Sequence, residues 1–441
     1  MKVSKISLVA IALTMSAGTA WGAGFGLYEA SARGNAMGGG LVGSTGDATA
    51  NYYNPANLTE CTNITLTVGA SFINPFADAK VDGVRQHKMN AGWFPPPHAY
   101  AAVPIMKDLV FGFGAYCEYG LGTKYDGDWA LKGDTTETTI EQFTFNPNLA
   151  YKVTDWWSLS FGARMSYLTF ENYKTPLDRD LGYGALHPGL GNQYLRSHLK
   201  GDDFNCGFVL GTQFKITEDL KLGAVYRSRI RHDVEGDYSA KRQGMAVTGG
   251  SVPAIPGMFP GAAFDPASVA SGDASAKLIL PSSATIGLNY DITKKFRTGA
   301  SVTWTEWSTI DTINFNLPDP PGDNRLDLSW EDAWRVGFGF EYDFTDDFCG
   351  RIGYNFDMDP SHKDHGTTML PPGDCHIIGF GIGYKFLEDF RIDLGYNFII
   401  MEATTRDMMA KDSSTGKDRM YKFETDNAYS HIVALSLTYS F

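Results

Sequence analysis

The feature that most constrains this chain is a period of two. It begins near Asn63 and runs to the last residue, Phe441. Ile64, Leu66, Val68, Ala70 and Phe72 share one face, while Thr65, Thr67, Gly69 and Ser71 share the other. Such alternation is the mark of an extended strand with one apolar and one polar side. It recurs at Leu109 to Ala115, Trp157 to Tyr167, Phe204 to Leu210, Trp334 to Phe344, Ile378 to Phe386 and Phe390 to Phe398. The final stretch, Tyr429 to Phe441, sets aromatic and aliphatic residues against Ser, Ala and Thr. The last strand of a soluble sandwich would carry charge on its solvent face. Here the polar face is small and uncharged, which suits strands whose apolar faces look out into lipid.

The connections fall into two kinds. Short turns lie at 104–108, 154–156, 217–219, 293–295, 345–347 and 387–389. Long polar or Pro/Gly-rich stretches lie near 75–90, 122–137, 174–201, 240–274, 312–326, 358–374 and 402–424. The kinds alternate, so six short and seven long connections predict 14 strands. Short turns on one side and long loops on the other describe an all-β, antiparallel transmembrane barrel of an outer membrane.

Composition agrees. The chain has 441 residues, 49 of them Gly, with 13% aromatic and only 20% charged residues. Mean hydropathy is −0.20, and no apolar run after the first thirty residues approaches the roughly 20 that a helical span needs. A net charge of −13 disfavours nucleic acid as a partner. Lys2 and Lys5, the apolar run Ile6 to Met15 and the small residues around Ala20-Trp21-Gly22 read as a signal peptide over 1–22, which places the mature chain in a Gram-negative outer membrane. Cys61, Cys117, Cys206, Cys349 and Cys375 show no CxxC spacing and read as small hydrophobes, with any disulfide unreadable from sequence.

Residues 23–60 break the pattern. They are rich in Gly, Ala, Ser and Asn, lack strand alternation and are too small to bury a core. Short helical turns are expected, lodged as a plug inside a barrel formed by 61–441. Arg164, Arg227, Arg229, Arg335, Arg351 and Arg391 fall opposite the aromatic faces, and Glu341, Asp343, Asp393 and Lys385 join them. A guanidinium facing lipid costs about 2–4 kcal/mol at the midplane, so these groups should face the lumen. There they either hold the plug, through residues such as Glu29 and Asp47, or pair with one another along the wall.

Gly24-Phe25-Gly26-Leu27-Tyr28-Glu29, the small-residue run to Gly46-Asp47-Ala48 and Asn54-Pro55-Ala56 resemble the N-terminal hatch of the FadL family. Tyr226-Arg227-Ser228, Leu280-Pro281, Trp304 to Ser308 and Asp332-Ala333-Trp334-Arg335 resemble its seventh to tenth strands. The resemblance spans the mature chain. It implies a monomeric 14-stranded barrel, closed by the hatch, that moves long-chain fatty acids or aromatic hydrocarbons. It implies capture between the third and fourth long loops, a lumenal pocket by the hatch, and lateral release where the third strand kinks inward.

The residues expected to serve these steps can be named. Leu186 and Leu190 lie in one unusually apolar loop and Phe259 and Phe264 in another, where exposed apolar patches signal binding. Gly114 and Gly120 mark the kink, as glycine in a strand often does, although small lumen-facing residues would explain the lower glycines equally well. Phe25, Asn54, Pro55 and Ala56 belong to the hatch and exit. Lys174 and Arg325 are candidates for a carboxylate; should neither face the pocket, a neutral hydrocarbon becomes the better substrate. A general diffusion porin is the competing reading, disfavoured by the segment before the first strand. No Ser-His-acid nucleophile motif is recognisable, and His362-Lys-Asp-His365 reads as a solvated loop, so no catalytic residue, metal or cofactor is expected. The expected partners are the hydrophobic ligand and the surrounding lipid and lipopolysaccharide.

Overall fold

The computed structural model describes residues 24–90, 92–125, 129–176, 194–242, 268–318, 325–411 and 418–441. Fourteen antiparallel strands close into a barrel. They are β1 (Thr65–Val81), β2 (Val84–Asn90 and Pro97–Met106), β3 (Leu109–Tyr116 and Gly120–Lys124), β4 (Glu137–Thr154) and β5 (Trp157–Lys174). Next come β6 (Leu195–Lys215), β7 (Leu220–Arg227 and Ile230–Arg242), β8 (Ser268–Leu280 and Ser283–Thr293), β9 (Phe296–Thr305 and Thr312–Asn316) and β10 (Arg325–Asp327 and Ala333–Asp343). The last are β11 (Phe348–Asp357), β12 (Cys375–Leu387), β13 (Phe390–Met401 and Thr404–Lys411) and β14 (Asp418–Ser440). The ladder from Thr65↔Ser440 to Val81↔Phe423 joins β1 to β14 and closes the ring.

The two faces divide as the alternation requires. Val68, Phe72, Val336, Phe338, Phe340 and Leu435 are exposed to the outside, while Arg164, Ser166, Glu341 and Ser436 are buried within. Closing β1 on β14 removes the two free edges an open sheet would present to lipid.

The strands run further than their sequence suggests. The stretch 75–90 is not a loop: β1 continues to Val81, turns at Asp82-Gly83, both at positive φ, and returns as β2 from Val84. Likewise Thr404–Lys411 pairs with β14 from Asp418 to Thr425, where a long connection is expected at 402–424. Above the membrane the outer face meets water instead of lipid. Both faces turn polar there and the period of two fades, although the backbone goes on pairing.

Residues 24–60 lie inside the barrel as α1 (Ala32–Ala36), α2 (Ala50–Tyr53) and a 3-10 turn over Pro55–Glu60. Ser31 caps α1 by accepting the Gly34 N–H at 3.0 Å. Asn54 caps the 3-10 turn through Ala56 N–H, with Pro55 in the first position. What lets this segment seat so closely is a set of inward glycines on the wall. A Cβ at Gly339 would stand 2.4 Å from the Met37 carbonyl oxygen, and one at Gly299 would stand 1.9 Å from that of Gly40. On the hatch side Gly38 has φ +59, and a Cβ there would meet the Phe338 and Tyr354 carbonyls at 2.7 Å.

Charge then fastens the hatch. Glu341 of β10 accepts from Arg33 of α1 at 3.0 and 3.1 Å, from Arg297 at 2.9 Å and from Arg351. Arg33 also reaches Asp47 at 3.3 Å, and Arg351 and Arg391 share Asp393 at 2.7 and 2.8 Å. Plug anchoring and wall pairing are therefore one network. Glu29, in contrast, accepts the Tyr28 N–H at 2.9 Å. Arg229 stands at the break in β7, half exposed, and pairs with Glu306 at 2.8 Å.

Candidate functional site

The barrel wall is unzipped at one place. β3 breaks between Tyr116 and Gly120, and β2 is interrupted by the stretch 92–96. Below the break the two strands pair from Ala99↔Ala115 to Met106↔Leu109. Above it Gly120–Lys124 pairs with β4 and Val84–Asn90 with β1; among the described residues neither pairs with the other. Pro95, Pro96 and Pro97 account for much of this, because proline has no N–H to give to a neighbouring strand.

The hatch takes the free edge. Leu27 N–H donates to the Glu118 carbonyl at 2.7 Å and Gly120 N–H to the Phe25 carbonyl at 2.9 Å, so Gly26 faces Tyr119 as in a two-stranded ladder. Phe94 turns inward and pairs with Ile73, and together with Leu27, Met89 and Cys117 it packs the gap from inside.

Glu118 is held at the kink by buried partners. It accepts from Arg164 at 2.6 and 3.2 Å and from Thr144 at 2.8 Å, and Arg227 lies 3.4 Å away. Its own N–H donates to Gln142, whose amide donates to Ser166 at 2.8 Å. Ser166 meets His232 at 3.1 Å, and His232 meets Asp203 at 2.8 Å. This acid-His-Ser sequence has a triad's order. However, Ser166 is fully buried, lines neither cavity and already receives the Gln142 amide. Its geometry braces the kink.

Phe25 also forms the floor of a dry chamber. Its ring meets Trp307 at 5.1 Å, Tyr119 at 5.7 Å and Trp330 at 5.8 Å between centroids. Above this aromatic layer, Leu121, Ile140, Phe170, Val234, Leu278, Phe315 and Leu328 enclose a space with no charged side chain in its lining among the described residues. Apolar surface moved from water into such a space is stabilised by about 25 cal/mol per Å². The roof comes from the connection after β11, with Thr367, Met369 and Leu370. It is tied to the β3–β4 connection: Thr123 donates to the Met369 carbonyl at 2.9 Å and Tyr125 to that of Thr368 at 2.8 Å. Asp359 anchors the same connection to Arg406 at 2.7 Å, and burial holds its carboxyl above the ordinary range despite the hydrogen bonds it accepts from Ser361 and Arg406.

Below the aromatic layer lies a second, polar cavity. Tyr28, Glu29, Thr303, Thr305, Asn355 and Arg335 line it, together with hatch backbone at Gly38 and Gly39.

The residues named from sequence take these places. Phe25 is the chamber floor and Gly120 lies on the free edge. Gly114 lies on the lower half of β3, where its Cα faces Tyr116 and Asn51. Asn54 donates to the Thr212 carbonyl at 3.0 Å, so it and its neighbours Pro55 and Ala56 are seated against β6 as well as β3. Lys174 shares a face with Phe170 but stands four residues further out, roughly 13 Å along the strand, and does not line the chamber. Arg325 is exposed, 3.6 Å from Asp327, and alternation turns it away from the chamber that Leu326 lines. Leu186, Leu190, Phe259 and Phe264 lie outside the described residues, as does the segment 1–22. The proline run, Glu118 and the Trp307–Trp330 pair are features the period-two reading passes over; three consecutive prolines inside a strand are the signal that was there to find.

The family described as outer membrane protein transport protein (OMPP1/FadL/TodX) matches residues 13–441. The long-chain fatty acid transport protein of Escherichia coli O6:H1 is 24% identical over 388 residues, 83% of this chain and 84% of that one. The crystal structure of a Pseudomonas aeruginosa FadL homologue superposes with a TM-score of 0.80 at 22% identity, covering 95% of this chain and 100% of that chain. The Pseudomonas putida toluene transporter TodX gives a TM-score of 0.69 at 18% identity, covering 95% and 99%. At these identities the two structures speak to the fold alone.

Proposed function

This chain belongs to the OMPP1/FadL/TodX family of outer membrane transport proteins, and on that footing we propose that it takes up hydrophobic small molecules without an energy source. The substrate class is a long-chain fatty acid, as the name of the Escherichia coli relative states for that protein. A ligand entering from outside rests in the dry chamber and leaves sideways, through the seam where the hatch and not β2 pairs with β3, into the membrane. The reading includes a monomeric barrel over 61–441, a hatch over 23–60 and removal of 1–22.

One observation carries it. Phe25 is both the chamber floor and part of the short strand that closes the seam. Displacing that strand opens the chamber and the wall together. A water-filled pore would give an apolar ligand nothing, whereas a dry path into lipid removes its contact with water throughout.

A second reading, a neutral aromatic hydrocarbon, is favoured by the uncharged chamber lining and by the positions of Lys174 and Arg325. Mass spectrometry of lipophiles that co-purify with the detergent-extracted barrel separates the two. A form lacking residues 23–58 serves as control. Fatty acid or hydrocarbon retained by the full chain and lost with the hatch supports transport and names the class. An empty full-length barrel that conducts ions freely in a planar bilayer would instead indicate a general diffusion porin.

A further inference from the structure

Among the described residues the dry chamber offers no partner for a charged head group, but the polar cavity beneath it does. The two spaces are one ring apart: Phe25 lines the chamber, Trp307 lines the cavity, and their centroids are 5.1 Å apart.

The cations around the cavity differ in how fully they are paired. Arg164 gives two hydrogen bonds to Glu118 and one to the Ser228 carbonyl at 2.7 Å. Arg227 lies against Glu118 and donates to the Tyr52 carbonyl. Arg335 is the exception. Its guanidinium stacks on Tyr28, 3.8 Å from the ring centroid, which orients the fork edge-on. Asn355 accepts from it at only 3.3 Å, from Nε or, with the amide turned to reach the Gly38 carbonyl, from Nη2, and its Nη1 is 3.9 Å from Asp357, outside hydrogen-bond range. Nη1 is buried without a hydrogen-bond partner among the described residues. A buried donor left unmade is costly, and a planar guanidinium suits a carboxylate better than any other head group. Glu29 and Glu118 line the same cavity and weigh more heavily against a multiply charged phosphate than against a single carboxylate, which the arginines there can offset.

We propose that Arg335 is the head-group subsite for a monocarboxylate with an alkyl tail, the tail lying across the aromatic partition in the dry chamber. The proposal rests on the transporter reading and adds the substrate's charge and orientation to it. Lys174 and Arg325 stand off the chamber, and Arg335 takes the role the sequence assigned to them.

The test is equilibrium binding of hexadecanoic acid and its methyl ester to the full-length barrel in detergent at pH 8. The two probes share their tail and differ in charge. The acid should bind the wild type more tightly than the ester. Arg335→Gln should weaken the acid about tenfold, the worth of a charge-assisted pair, and leave the ester within about twofold. Arg335→Lys should recover part of the loss. Equal binding of acid and ester by the wild type, or equal weakening of both in Arg335→Gln, would overturn the subsite while leaving transport intact. Should Arg335→Gln lose the heat-modifiable mobility of a folded barrel, the wild-type comparison of acid with ester decides alone. A wild type that binds neither probe would overturn the transporter reading itself.

Discussion

At the scale of single residues, alternation decides what a side chain costs. Arg335 is turned into the lumen and Val336, its neighbour, faces out. Val336→Arg should therefore destabilise the barrel by about 2–4 kcal/mol if its depth is near the midplane, measured by urea unfolding in lipid vesicles. An unchanged midpoint would mean that this face does not meet lipid. Arg33 makes the opposite argument. It is the hatch's cation against Glu341, whose side chain is only 3% exposed. Removing one partner of a buried pair typically costs about 3–5 kcal/mol, because the other charge is stranded. Here Arg297 and Arg351 stay behind to hold Glu341, so the loss should fall on the hatch. Arg33→Ala is expected to keep a heat-modifiable barrel while exposing residues 24–60 to protease. A hatch as resistant as the wild type's would show that the glycine-lined seat suffices alone. The inward arginines were legible from their position in the alternation. The acids Glu341, Asp393 and Asp47 were legible as lumenal or hatch charges too; which arginine each holds was not, since closure and not spacing brings them together.

At the scale of elements, the decisive unit is β3 with the hatch strand on its edge. Gly26 and Tyr119 form a pair flanked by, and not sharing, the hydrogen bonds from Leu27 and Gly120. Such non-bonded pairs bring Cα atoms to about 4.5 Å, within the range a disulfide spans. In a background with the five native cysteines replaced, Gly26→Cys with Tyr119→Cys should cross-link on oxidation and pin the hatch to the seam. Uptake of a labelled fatty acid should stop on oxidation and return with reductant. Transport that continues in the oxidised form would rule out the lateral path. Sequence pointed to this element through Gly120 and left Gly112 and Gly114 open between a kink and small lumen-facing residues. The lower glycines, Gly112 and Gly114, are small because Asn51, Leu58 and Tyr116 press against them. The break itself follows from Pro95–Pro97, which have no N–H to give to β3, and from Glu118, whose buried partners hold the backbone inward. Polar residues in a strand read as lumen lining from sequence. Only the fold reveals that several converge on one backbone.

At the scale of the whole molecule, strand count and closure were legible because lipid imposes its alternation on every crossing. The reach of the strands and the filling of the mouth were not, because water imposes no such pattern above the membrane. That filling has a consequence for conductance. The lumen is obstructed twice. Residues 24–60 occupy it from below, and the connections after β3 and β11, with Trp129, Leu131 and Met369 buried, occupy it from above. Two obstructions in series act like resistors in series, so the one that remains limits the current. Deleting 24–60 alone should raise planar-bilayer conductance only modestly. Replacing 358–374 with a short Gly-Ser turn should do the same. The two changes together should give a porin-like step larger than the sum of the single effects, since only then does water run unbroken through the barrel. A porin-sized step from the hatch deletion alone would mean that the roof is held up by the hatch beneath it. The link between them would then run through the apolar cluster that Leu27 shares with Tyr125, Trp129 and Leu131.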